Sequence, residues 1–368
     1  MIVNRRAGLL ATIFALAWLA SCGGSSSSGG GGGSAGRNAY VAVPEANAIA
    51  AYRVDSNSGN LNRVLGSPFP GGTSPVAIAI HPSGNYIYAA NQGSSDVSLF
   101  KINHDTGELA EVMPRTPAGL NPSAIMLSTG GDLLFVANQT ANSVSVYAVS
   151  SSDGSLTEAA GSPFATGPRP AALTVTPSGK FLYVASSNLP VVFAYSVTSG
   201  TGSLTSVAGS PFTVGSGPSS MVVDPTEHFL YVTNFISNTV SGMSIDSTSG
   251  ALSPTLDSPF ATGTSPIAVT LDPAGKVLYV TNISSNNVSA YSIDTGTGVA
   301  TALDKSPFAA GTRPVAATVD PADKFLYVSN QSSKNITKFV INADTGGLPS
   351  STIVTTFDLA PTALVFAK

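Results

Sequence analysis

Residues 266–282 read Pro-Ile-Ala-Val-Thr-Leu-Asp-Pro-Ala-Gly-Lys-Val-Leu-Tyr-Val-Thr-Asn, and this stretch carries most of the information about the fold. Residues 267–271 form a nearly continuous apolar run, which is typical of a strand buried on both faces. Residues 272–276 are predicted to form a turn, because proline fixes φ and glycine accepts positive φ. Residues 277–282 are rich in β-branched and aromatic residues, so the stretch predicts two antiparallel strands joined by a tight turn.

The same hairpin recurs along the whole chain with a step of 47 or 48 residues. Two sets of residues mark the repeat: the prolines at 75, 122, 170, 218, 266, 314 and 361, and the aromatics Tyr40, Tyr88, Phe135, Tyr183, Tyr231, Tyr279 and Tyr327. A period of this length, built from short strands and Gly, Pro and Ser turns, indicates an all-β seven-bladed β-propeller of four-stranded antiparallel blades. We expect this single domain to span residues 37–368.

Each repeat contains two further strands and a connector. Residues 288–293 alternate with a period of two, as a half-exposed third strand does, and a weaker outer strand is predicted near residues 299–303. A Ser-Pro-Phe connector follows at 306–308, and the same triplet stands at 67–69, 162–164, 210–212 and 258–260. We expect the proline to end the outer strand and the phenylalanine to fill the gap between blades.

The two ends of the domain carry incomplete repeats. The first repeat begins at its second strand, residues 40–43, and the last ends with an unpaired inner strand, residues 361–366. These strands are expected to complete one blade, since closure of the ring removes open sheet edges.

The first 36 residues have the features of an export and anchoring segment. Arg5 and Arg6 precede a short apolar run, and Leu19-Ala20-Ser21-Cys22 is similar to a bacterial lipobox. We interpret residues 1–21 as a lipoprotein signal peptide, Cys22 as the lipid attachment site and residues 22–36 as a Gly/Ser tether. The protein is therefore expected in the bacterial cell envelope, on the outer membrane, facing the periplasm or the cell surface.

Composition limits the partners. Charged residues make up only 10% of the chain, with 16 Lys plus Arg against 20 Asp plus Glu. No basic stripe is visible that could neutralise phosphates, so a nucleic-acid partner is not expected. Three dispersed histidines and a single cysteine make no metal or haem pattern, so we expect no metal, no cofactor and a monomer.

Tyr231-Val232-Thr233-Asn234, Tyr279-Val280-Thr281-Asn282 and Tyr327-Val328-Ser329-Asn330 resemble the repeats of the YVTN, lactonase-like seven-bladed propellers. The resemblance covers residues 38–368 and implies the propeller fold. It also implies that a lactonase would carry Pro-Arg-His at the head of one inner strand and Glu after the following strand. None of the matching triplets, such as Pro75-Val76-Ala77 and Pro314-Val315-Ala316, has the Arg or the His. The Glu position offers residues such as Gly93, Ser187 and Phe235.

The residues just before the repeat prolines differ from blade to blade. They are Ser74, Asn121, Arg169, Gly217, Ser265, Arg313 and Ala360. We expect Arg169 and Arg313 to face each other across the channel mouth, where with Asn121 they could bind a carboxylate or phosphate. The alternative is that each arginine extends into solvent or pairs with a nearby acid.

Two functions follow from these patterns. The main expectation is a membrane-anchored lipoprotein whose propeller is a non-catalytic binding module for an envelope protein or polysaccharide, without catalytic residues. The alternative is a lactonase-like hydrolase of the 6-phosphogluconolactonase type that acts on a sugar lactone.

Overall fold

The computed structural model describes residues 37–367, which form seven antiparallel sheets arranged in a ring. Each inner strand contacts the inner strands of the two neighbouring blades, and this contact runs around a central channel. The predicted all-β seven-bladed propeller with four-stranded blades is confirmed. The signal peptide, Cys22 and the tether at 22–36 lie outside the described residues. No helix among residues 37–367 has the length and hydrophobicity that crossing a bilayer requires.

We number the blades 1 to 6 from Pro75 onward and call the remaining one the closing blade. The inner strands, in that order, are Pro75–Ile80, Pro122–Leu127, Pro170–Val175, Pro218–Val223, Pro266–Leu271, Pro314–Val319 and Leu364–Phe366. The second strands are Tyr86–Asn91, Leu133–Asn138, Phe181–Ser186, Phe229–Asn234, Val277–Asn282, Phe325–Asn330 and Asn38–Val43. The third strands are Asp96–Ile102, Ser143–Val149, Val191–Val197, Thr239–Ile245, Asn287–Ile293, Asn335–Val340 and Ala48–Val54.

The outer strands are more exposed than the others, and in five blades they have only three residues. They are Leu109–Pro117, Leu156–Glu158, Leu204–Ser206, Leu252–Pro254, Ala300–Ala302, Ser350–Thr356 and Leu61–Arg63. In five blades a two-residue strand follows and pairs with the third strand: Phe164–Ala165, Phe212–Thr213, Phe260–Ala261, Phe308–Ala309 and Phe69–Pro70. The proline of the Ser-Pro-Phe connector therefore interrupts the outer edge, and pairing resumes at the phenylalanine.

The closing blade joins the two ends of the domain. Tyr40 pairs with Val365 and Val41 with Leu364, in antiparallel register. Leu364 is 2% exposed and belongs to the same hydrophobic cluster as Val41 and Tyr327 of blade 6. The predicted closure by the first and last strands is confirmed.

The repeated tyrosines connect neighbouring blades. Each tyrosine hydroxyl donates to a glycine carbonyl in the outer turn of the next blade, at 2.7–3.2 Å, as between Tyr88 and Gly154. The bond from Tyr327 to Gly59 spans the seam between blade 6 and the closing blade at 2.7 Å. Phe135 occupies the equivalent position in blade 2, where no hydroxyl is present. Buried hydrogen bonds of this kind fix the angle between sheets.

The asparagines that end five second strands hold the edge of each blade at the mouth of the channel. Asn138 and Asn234 are fully buried, and their Nδ2 atoms donate to hydroxyls of the third strand, as from Asn138 to Ser145 at 2.9 Å. Their partners are therefore side chains of the neighbouring strand rather than the backbone of the next turn.

The chain enters the domain at the end of the channel where inner strands finish. Arg37 precedes the second strand of the closing blade, and its Nη1 lies 3.4 Å from Oδ2 of Asp320. Asp320 follows the last residue of the blade 6 inner strand. The N-terminal side of the domain is thus opposite to the end where inner strands begin.

Candidate functional site

The end of the channel where inner strands begin is the candidate site, and we call it the mouth. Two sets of residues surround it. The rim consists of the residues that precede the inner strands: Ser74, Asn121, Arg169, Gly217, Ser265, Arg313 and Ala360. The second set, which we call the collar, consists of the residues that directly follow the second strands: Pro44, Gln92, Gln139, Ser187, Phe235, Ile283 and Gln331.

The rim backbone is held in an unusual conformation. Arg169 has φ 51° and Arg313 has φ 56°, and the rim position of blade 4 is a glycine, Gly217, with φ 70°. The amides of the two arginines donate to Oδ1 of Asn142 and Asn286, each at 2.8 Å. A non-glycine residue at positive φ costs about 1 kcal/mol or more, and such positions are enriched at functional sites.

Arg169 and Asn121 are brought together through a glutamine between them. The Nη2 of Arg169 lies 3.4 Å from Oε1 of Gln139, which is only 4% exposed. The main-chain amide of Gln139 donates to the main-chain carbonyl of Asn121 at 2.9 Å. Asn121 Nδ2 donates to Thr140, while its Oδ1 is buried without a hydrogen-bond partner in the described part of the chain. This sector therefore offers a guanidinium donor and an unused amide acceptor side by side.

Arg313 is held separately. Its Nη2 lies 3.5 Å from Oε1 of Gln331, in the same blade, and both arginines are exposed. The two guanidinium groups thus have different glutamine partners, and the hydrogen bonds of the mouth do not link one arginine to the other. Each can bind an anionic or carbonyl oxygen from its own side.

The floor of the mouth is apolar. In blades 1 to 6 the residue after the inner-strand proline lies at a register shift, as between Pro75 and Ala77. These residues are Val76, Ser123, Ala171, Ser219, Ile267 and Val315, and all are less than 9% exposed. Val76, Ile267 and Val315 belong to one hydrophobic cluster although they come from blades 1, 5 and 6. These bulges are the positions where the family resemblance implies Arg, and here they carry small or apolar buried side chains.

The carboxylate of Glu45 also lies at the mouth. Comparison of the repeats in the sequence does not reveal it. Glu45 belongs to a short 3-10 helix, Pro44–Ala46, directly after the second strand of the closing blade. It is exposed and stands two residues after the second strand, as Gly93 does in blade 1, where the resemblance implies Glu. The inner strand of this blade comes from the far end of the chain, so the repeat alignment within the sequence does not pair Glu45 with residues 361–363.

The opposite end of the channel has a different character. A groove of about 430 Å³ lies between blades 5 and 6 and is lined by Asp272, Lys276, Tyr279 and Asp323, among others. Asp272 Oδ1 accepts from the amides of Lys276 and Val277, both at 2.6 Å, so this carboxylate caps its own turn. Burial raises the pKa of Asp272. The turns at this end also hold His81, His104 and His228, each within 2.9 Å of a neighbouring hydroxyl or amide oxygen.

No group of three His, Cys, Asp or Glu side chains within residues 37–367 is placed to hold a metal ion.

The sequence matches the family described as Lactonase, 7-bladed beta-propeller, over residues 33–119, 110–210 and 167–354. The chain therefore belongs to this family. No curated protein sequence matches it significantly.

Solved structures of related folds are similar over nearly their whole length. A Bacteroides uniformis protein provisionally named a 6-phosphogluconolactonase is 19% identical with a TM-score of 0.78, covering 90% of this chain and 99% of that one. A Bacteroides fragilis protein with the same provisional name is 21% identical with a TM-score of 0.77, covering 91% and 99%. The periplasmic gluconolactonase of Pseudomonas aeruginosa is 20% identical with a TM-score of 0.76, covering 90% and 99%. At these identities the likeness establishes the fold.

Membership of a lactonase family overturns one expectation from the sequence. The interpretation of the propeller as a non-catalytic binding module is wrong, and the lactonase alternative is the better supported one. That interpretation depended on the absence of Arg and His at the inner-strand heads. The structure shows that the mouth draws its polar groups from other positions, namely the rim, the collar and Glu45.

Proposed function

We propose that this protein hydrolyses a sugar lactone at the channel mouth. The observation that carries the proposal is the presence of two arginines and one carboxylate around an apolar floor, in a member of a lactonase family. Hydrolysis of a lactone requires a water molecule to attack the ring carbonyl, a base to accept the proton of that water, and donors that stabilise the negative charge on the carbonyl oxygen.

The guanidinium groups supply the donors. Arg169 is oriented by the buried amide of Gln139, and Arg313 by Gln331. A positioned donor stabilises a tetrahedral oxyanion more than a neutral carbonyl, which lowers the barrier rather than merely tightening binding. The partly exposed side chain of Asn121 lies on the same rim and contacts a ring hydroxyl of the substrate in this proposal. In this proposal the arginines supply donors for the carbonyl oxygen, and Asn121 contacts the hydroxylated ring.

In this proposal Glu45 is the general base that accepts the proton of the attacking water. In the closing blade it stands between blade 6, which carries Arg313, and blade 1. A carboxylate at this place accepts a proton from the attacking water and returns it to the ring oxygen as the lactone C–O bond breaks. The products are one hydroxy acid per lactone and no covalent intermediate is needed.

The test is turnover of glucono-δ-lactone by purified residues 37–368, followed by acid release at constant pH and corrected for spontaneous opening. Glu45→Gln is expected to lower kcat about 100-fold. Arg169→Gly and Arg313→Gly are each expected to lower kcat/KM about 100-fold. Glycine is chosen because Gly217 shows that the rim backbone accepts it.

Glu108→Gln, in an exposed outer turn away from the mouth, is the control and should leave the rate unchanged. Absence of turnover by the wild-type domain on any sugar lactone would overturn the proposal. Turnover that survives all three mouth substitutions would move the reaction elsewhere on the propeller.

We also propose that the enzyme works in the cell envelope as a monomer bound to the membrane through a lipid on Cys22. The support is the lipobox-like Leu19-Ala20-Ser21-Cys22 and the Gly/Ser segment that follows. Mass spectrometry of the mature N-terminus tests this. A diacylglyceryl cysteine at residue 22 is expected, and an N-terminus at any other residue would contradict it.

A further inference from the structure

The collar combines polar residues with two apolar residues in neighbouring blades. In blades 1, 2 and 6 the collar residue is a glutamine, namely Gln92, Gln139 and Gln331. In blades 4 and 5 it is Phe235 and Ile283. These two blades are neighbours in the ring, so the apolar residues form one continuous side, which we call the apolar sector.

The apolar sector is continuous with the floor. Ile283 is 6% exposed and Phe235 packs against the same hydrophobic cluster, which also contains the floor residues Ile267 and Val315. Ile236 follows Phe235 and is 68% exposed. The space that a Cβ of Gly217 would occupy lies 2.8 Å from Cγ1 of Ile236, so this side chain folds over the rim rather than away from it.

Other blades of the same fold carry polar side chains at these positions. At the position of Phe235 the same backbone carries glutamine in three other blades, and at the position of Ile236 it carries Ser284 and Ser332 in blades 5 and 6. An isoleucine that is 68% exposed contributes little to folding, whereas it stabilises an apolar ligand group that covers it.

We propose that the lactone accepted at this mouth carries an apolar alkyl or aryl substituent, which lies on Phe235 and Ile236 while the ring faces the arginines and glutamines. This inference rests on the proposed function and narrows its substrate class from sugar lactones in general to hydroxylated lactones with an apolar arm. The apolar substituent is directed away from Gln92, Gln139 and Gln331. If it covered these side chains, their amide groups would be removed from water without gaining a hydrogen bond, which is costly.

The experiment compares δ-lactones that carry a methyl to pentyl chain on the ring carbon next to the ring oxygen. Because Phe235 and Ile236 would cover the alkyl chain of the lactone only in part, kcat/KM is expected to rise about 2-fold per methylene, or about 16-fold across the series. The double variant Phe235→Gln, Ile236→Ser copies the side chains of other blades and is expected to reduce the whole rise to less than about 2-fold. Leu256→Ser removes an equally exposed leucine, 75% exposed in an outer turn, and should leave the rise intact.

Binding of the matching lactams, which are not hydrolysed, is measured by calorimetry on the same three proteins. A chain-length dependence that disappears only in the double variant supports the apolar sector as the substituent site. A flat series in the wild-type protein, in both turnover and lactam binding, overturns it while leaving the proposed hydrolysis standing. If no lactone is turned over, the proposed function fails, and the lactam series alone decides the apolar sector in the same two ways.

Discussion

Replacing Asp323 with asparagine is expected to stabilise the propeller at neutral pH and to have little effect near pH 4. Asp323 occupies the turn after the blade 6 inner strand at φ 55°, where blades 1 and 5 have Gly84 and Gly275. Its Oδ1 is buried and has no hydrogen-bond partner in the described chain. Burial first, and then the charges of Asp272 and Asp320, raise the pKa of Asp323 to about 6.

The sign and size follow from linkage. A carboxyl group whose pKa rises from 3.8 to about 6 on folding favours the folded state only while it is protonated. The penalty therefore develops as pH rises from about 4 and is complete above about pH 7. A shift of this size corresponds to about 3 kcal/mol at most. Because Asp323 is partly exposed, solvent screening reduces the figure to about 1 kcal/mol. Asparagine removes the charge and tolerates positive φ, so the rest of the turn is preserved.

The assay is thermal unfolding of wild type and Asp323→Asn between pH 4 and pH 8. The variant is expected to have the higher Tm at pH 7.5, by about 1–2 °C for a domain of this size, and the difference should vanish toward pH 4. Asp153→Asn is a control for which a change in stability of the opposite sign is expected. Hydrogen bonds from Ser150 and Ser155 lower the pKa of Asp153 to about 2. Its loss should destabilise the protein at pH 7.5. A Tm difference for Asp323→Asn that does not depend on pH would refute the electrostatic reasoning.

Four further predictions concern the ring and the mouth. Tyr327→Phe removes the buried hydroxyl that spans the seam at 2.7 Å and should lower the free energy of unfolding by about 1–3 kcal/mol in urea, whereas a smaller loss than about 0.5 kcal/mol would show that the seam does not depend on it. Phe135→Tyr places a hydroxyl where the other blades have one and should raise Tm slightly, so a lower Tm would mean that blade 2 has no room for it. Deletion of residues 360–367 removes the inner strand of the closing blade and should abolish cooperative unfolding in calorimetry; an unchanged transition would contradict closure. Gln139→Leu frees Arg169 and is expected to raise KM for lactone several-fold, and an unchanged KM would show that the guanidinium needs no such support.

The fold could be predicted almost completely from the sequence because each blade repeats the same local choices. Prolines fix where inner strands begin, and alternation of apolar residues fixes which faces are buried. The seam between residues 38–43 and 364–366 was also predictable, since only one arrangement completes the last blade. The additional two-residue strands that begin at the connector phenylalanines could not be predicted, because they are too short to leave a pattern in the sequence.

The site was less predictable because it depends on departures from the repeat. The sequence placed Arg169, Arg313 and Asn121 on the same rim, but it could not show that Gln139 joins two of them and leaves Arg313 on its own glutamine. Glu45 was missed because its blade is assembled from both ends of the chain. The polarity of the collar is visible in the sequence only after the strand ends are known, since Phe235 and Gln331 then become equivalent positions.

The contact between Arg37 and Asp320 has a consequence for how the molecule is oriented. It places Arg37, where the described domain begins, at the end farthest from Arg169 and Arg313. With a lipid on Cys22, the 15 residues at 22–36 would hold that end toward the bilayer at a spacing on the order of 20 Å. The catalytic opening would then look outward into the aqueous compartment, so that soluble compounds reach it without passing between the protein and the lipid headgroups.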